Sequence, residues 1–64
     1  MSQTPIEQAR IAAADHYLGA AEAELTRPGC SHTTAMHLRK TATRILSGTG
    51  DHHPMVVAHL AVSA

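Results

Sequence analysis

"GDHHPMVVAHLAVSA", residues 50–64, decides how this chain folds. A residue that precedes proline is pushed out of the α region, and proline itself suits the first position of a helix. His53 is therefore predicted to stay outside a helix that Pro54 opens. After Met55 the only polar side chains are His59 and Ser63, which fall on one strip that His52 extends. A helix apolar on nearly every other side belongs in an interior rather than on a surface. Val56, Val57 and Val62 are β-branched and would also suit a strand, but no partner strand can be read elsewhere in the chain. The segment from about 54 to 63 is thus predicted to be a short apolar helix.

Working back from that stretch, "SGTGD" at 47–51 is a turn. Before it, Ala35, Leu38, Ala42, Ile45 and Leu46 recur at helical spacing and predict a helix over about 32–47. Its other face carries Thr33, His37, Lys40 and Arg44. "RPGCS" at 27–31 is a second turn, and Pro28-Gly29 stops whatever precedes it. At the start, "TPIE" (4–7) has the form of a capping box, with Thr4 as cap, Pro5 at the first helical position and Glu7 three residues on. A long helix over about 5–26 follows. Its expected stripe is Ile11, Ala14, Leu18, Ala21 and Leu25, widened on one flank by Ile6, Ala13 and Tyr17. Gln8, Asp15, Gly19 and Glu22 face the other way. The short link predicts an antiparallel hairpin of the first two helices. The fold class expected is all-α: one small helical domain over 1–64, with the third helix in the hairpin groove.

Composition narrows the rest. Tyr17 is the only aromatic residue and Cys30 the only cysteine. A lone cysteine supplies no disulfide and fits a reducing, cytoplasmic setting. Chains below roughly 70–80 residues seldom build a core worth more than about 3–5 kcal/mol without a staple. Self-association is expected on that ground. The formal charge is zero with histidines neutral, but it is unevenly spread. Glu7, Asp15, Glu22 and Glu24 crowd the first helix, whereas Arg27, Arg39, Lys40 and Arg44 follow it without an intervening acid. The expectation is that the two halves pair their charges. No apolar run approaches the roughly 20 residues needed to span a bilayer, and the N-terminal stretch lacks the basic-then-apolar form of a secretory signal. The poverty in Lys, Asn and Phe beside abundant Ala, Thr and His suggests a GC-rich source, bacterial or phage.

Six histidines raise the question of chemistry. Two ligands on one helix face must stand three or four residues apart, and no pair here does. Cys30 and His32 could chelate from the turn, but only with a ligand from another segment. A proton switch is the stronger reading, because imidazole titrates near neutrality, and His52 and His53 sit where a helix dipole opposes positive charge. Cys30 with His32 or His37 imitates a thiol and its base, yet no third orienting group is visible. "SGTG" lacks the Lys-Ser/Thr of a phosphate loop. No catalysis, cofactor, metal or small-molecule substrate is expected.

Two functional expectations remain. The first is a protein–protein interaction module of adaptor or regulator type, burying its apolar C-terminal helix in a homo-oligomer or on a protein partner. The contact residues expected are Met55, Val56, Val57, Leu60 and Val62, with Leu18 and Leu25 on the facing helix. The second is nucleic-acid binding through His37, Arg39, Lys40 and Arg44. The absence of a net basic excess counts against the second.

Overall fold

The computed structural model describes residues 3–63, the side chain of Ser63 excepted. Three helices follow one another: α1 (Pro5–Thr26), α2 (His32–Leu46) and α3 (Pro54–Ser63). The described residues include no strand, so the strand reading of the apolar tail is set aside.

Local chemistry explains each boundary. The Thr4 hydroxyl accepts from the Glu7 N–H at 3.3 Å and Pro5 takes the first helical position. Glu7 makes no return bond, so only half of the expected capping box forms. Gly29 adopts φ +71° in the turn after α1, a conformation a Cβ disfavours. The Ser31 hydroxyl then caps α2 by accepting from the Thr34 N–H. Glu24 braces this turn. Its carboxylate accepts from the Arg27 guanidinium and from the Ser31 N–H. Those bonds, the Arg27 bond first, hold the Glu24 carboxyl below its ordinary range.

α1 is the backbone of the assembly. It packs against both α2 and α3, while α2 and α3 barely approach each other. The third helix therefore docks on α1 rather than in the groove of the hairpin. Even so, Val56 reaches the shared cluster of Ala9, Ala13, Ala14, Ala42 and Ile45, and Ile6, Tyr17, Met55 and Leu60 close around it.

Serving two neighbours shifts the buried arc of α1. At about 100° per residue, the sealed Ala9, Ala13, Ala14 and Ala21 bracket Tyr17, so the expected flank is the true centre. Ile11 and Leu18, expected at the middle of the stripe, lie past its edge and stay exposed. The reason is steric: alanine faces let helix axes come close, and larger side chains are displaced to the rim.

Among the described residues, the expected pairing of charges between halves forms only at the turn, between Glu24 and Arg27. Among the described residues the ion pairs are Arg10–Asp51 and Arg27–Glu24. Asp15 and Glu22 project from α1 away from its packed arc. Arg39, Lys40 and Arg44 stand exposed on α2. An alanine-lined seam leaves no charge at the contact, so each set points outward.

Candidate interaction surface

The start of α3 is set by its neighbours. His53 precedes Pro54, and its Nδ1 accepts from the Met55 N–H at 3.1 Å. An Nδ1 that accepts carries no proton, so in the neutral ring the proton resides on Nε2. That Nε2–H donates to the Tyr17 hydroxyl at 3.0 Å. One imidazole thus caps α3 and ties it to the middle of α1. His16 and His53 both meet the Tyr17 ring edge to face. The loop before α3 is held about two turns further back on α1, where Arg10 donates to both Asp51 oxygens at 2.8 and 2.6 Å. The Arg10 guanidinium also lies against Gly48, at φ +88°, where a Cβ would come within 3.3 Å of it.

So anchored, α3 turns Val56 into the core and sets Met55, His59 and Leu60 half-buried beside it. Its opposite side shows Val57, Ala58, Ala61 and Val62 to solvent. Val57 is 51% exposed and Val62 86%. Of the polar strip expected on this helix, only His59 can be placed. His59 belongs to the packed side, and the Ser63 side chain lies outside the described residues. The outward face is wholly apolar. In an ordinary surface helix the outward face is polar.

The seven expected contact residues do not form one patch. Val56 has no exposed surface and is a core residue, which corrects its assignment to a contact surface. Met55 and Leu60 pack against the core and contribute only their rims. Val57 and Val62 are open. Leu18 is exposed but lies on the rim of α1, and Leu25 is half-buried near the first turn. Among the described residues three large exposed apolar side chains escaped the sequence reading: Met36, and Ile11 and Leu46, whose spacing placed them in packing stripes. Nothing local marks the latter two as open; that follows only from where the third helix docks.

His37, Arg39, Lys40 and Arg44 are all exposed on α2. Lys40 and Arg44 share its outer face with His37, and Arg39 is turned toward the rim of the seam. Among the described residues, no three His, Cys, Asp or Glu side chains gather closely enough to hold a metal ion, so Cys30 and His32 acquire no third ligand there. No concave pocket forms among them either. Among the described residues, no helix is long and apolar enough to cross a membrane. Comparison with known protein families, curated proteins and solved structures finds no match to this chain.

Proposed function

We propose that the protein is a small helical interaction module that binds another polypeptide through the outward face of α3. The observation that carries this reading is the apolar outward face of α3. Its single described titratable side chain, His59, stands on the packed side, and the solvent side is built of Val57, Ala58, Ala61 and Val62. Apolar surface gains roughly 25 cal/mol for each Å² removed from water. A contiguous apolar face on a soluble helix is the usual mark of a surface that another chain covers. The His53 cap and the Tyr17 hydrogen bond support the same reading, because they present this face on a helix already ordered. Preorganisation of that kind lowers the entropic cost of association.

A photo-crosslinking residue at position 57 tests this. It is expected to form adducts with a second polypeptide, its own copy or another, far more efficiently than the same residue at exposed Thr33 on α2. Equal yields at the two positions would overturn the reading. Nucleic-acid binding stays secondary, since it draws on three arginine and lysine side chains of α2 in a chain of zero formal charge.

A further inference from the structure

The hairpin formed by α1 and α2 has two broad sides, and α3, docked on α1, lies on one of them. On that side, Ala9 and Ala13 of α1 and Ile45 of α2 are sealed in the cluster that contains Val56. On the other side the rim is open. Ile11 and Leu18 are more than a third exposed, and Leu46, next in the chain to sealed Ile45, is 51% exposed. Because α1 and α2 run antiparallel, the open positions border the same side of the seam. They form an apolar strip along it. Asp15 and Glu22 lie outside the strip on α1, four residues on from Ile11 and Leu18 and so on the same helical face. Arg39 borders the strip on α2, with Lys40 beyond it. None of these four charges has an ion-pair partner among the described residues.

The uncovered side therefore reads, across its width, acid, apolar, base. We propose that a second copy of this chain covers it, related by a two-fold axis running along the seam. That operation lays α1 of each copy over α2 of the other. Asp15 and Glu22 of one copy then face the Arg39–Lys40 region of its partner, twice over, while the two apolar strips meet in the middle. The other two-fold arrangement, α1 upon α1, would set Asp15 and Glu22 against their own copies. An isologous contact must be self-complementary, and charge of like sign across an interface selects against a register. The pattern thus chooses both the occupant and the axis. The α3 faces are left outward on the two far sides of the dimer, so this surface is distinct from the one proposed above.

Charge exchange tests the proposal without touching the core. One chain carries Asp15→Lys and Glu22→Lys, another Arg39→Glu and Lys40→Glu. All four positions are exposed, and circular dichroism confirms that each variant keeps its helices. Sedimentation equilibrium is expected to show wild type associating to a dimer. Each variant alone should associate about tenfold or more weakly, because its contacts have become repulsive. An equimolar mixture of the two should recover the dimer, since every contact is then attractive. Val57→Glu should leave the dimer intact. A wild type that stays monomeric at millimolar concentration overturns the proposal. So does a mixture no heavier than its components, or a variant of wild-type mass that has instead lost affinity for a short DNA duplex. Dissociation by Val57→Glu alone would move the self-contact to α3, overturning this proposal while sparing the interaction reading.

Discussion

His53 shows how much one side chain can decide. Imidazole is a poor helix cap by preference, yet here Nδ1 accepts from Met55 while Nε2 reaches Tyr17. The bond to Met55 exists only while Nδ1 is bare, so a doubly protonated ring cannot make it. Replacing His53 with Ala removes the cap, which costs about 1 kcal/mol and in a domain of this size lowers Tm by about 4–8 °C. His53→Asn retains an accepting oxygen for the cap and loses only the link to Tyr17, so its Tm should fall between the two. Equal losses in both variants would show that the cap contributes nothing. Gly19 is the converse case. It sits inside α1 with open space around its Cα, so no close approach requires it. Gly19→Ala should raise stability by about 1 kcal/mol, read as a higher denaturation midpoint.

Between elements, the decisive contact is the Arg10–Asp51 pair, which joins α1 to the loop before α3. The two hydrogen bonds from Arg10 hold the Asp51 carboxyl below its ordinary value and raise the Arg10 guanidinium above its own. The sign follows directly. A depressed carboxylate stabilises the fold fully above its unfolded value, about 4, and that contribution is lost as pH falls through the folded value. Thermal midpoints measured from pH 7 down to about 2 should therefore decline on the acid side. The decline should be shallower for Asp51→Asn, because Glu24 alone would then supply a depressed carboxylate of the same sign. The helices themselves were legible in the chain. Thr4-Pro5, Pro28-Gly29, Ser31 and Pro54 mark their limits by backbone chemistry that needs no tertiary partner. Arg10 and Asp51 were not legible as a pair, since 41 residues separate them and no spacing rule links them.

For the whole molecule, what matters is how little bulk the interior holds. Among the described residues, six of the eight sealed hydrophobic residues are alanines, and only Ile45 and Val56 are large. The extents are 40 × 23 × 18 Å and the radius of gyration 12.7 Å, against roughly 11 Å for a compact chain of this length. A slender body with a thin core keeps Ile11, Leu18, Leu46 and Val57 at its surface. Association then adds directly to stability by mass action. The Tm of wild type should rise with protein concentration, while that of the Asp15→Lys, Glu22→Lys chain alone should not. A concentration-independent wild-type Tm would argue that the copies do not meet.

The residue order alone determined three helices and their ends, because caps, prolines and turn glycines act within a few bonds. It also determined that the last helix is apolar nearly all round. Which side of that helix turns inward was decided only in three dimensions, as was the choice of Ala9 and Ala13 over Ile11 and Leu18 for the packed arc of α1. Helical periodicity ranks faces by polarity, and on α1 and α3 apolar side chains occupy more of the circumference than one neighbour can cover. With several faces equally apolar, the close fit of alanine surfaces and the anchors at His53 and Asp51 chose among them.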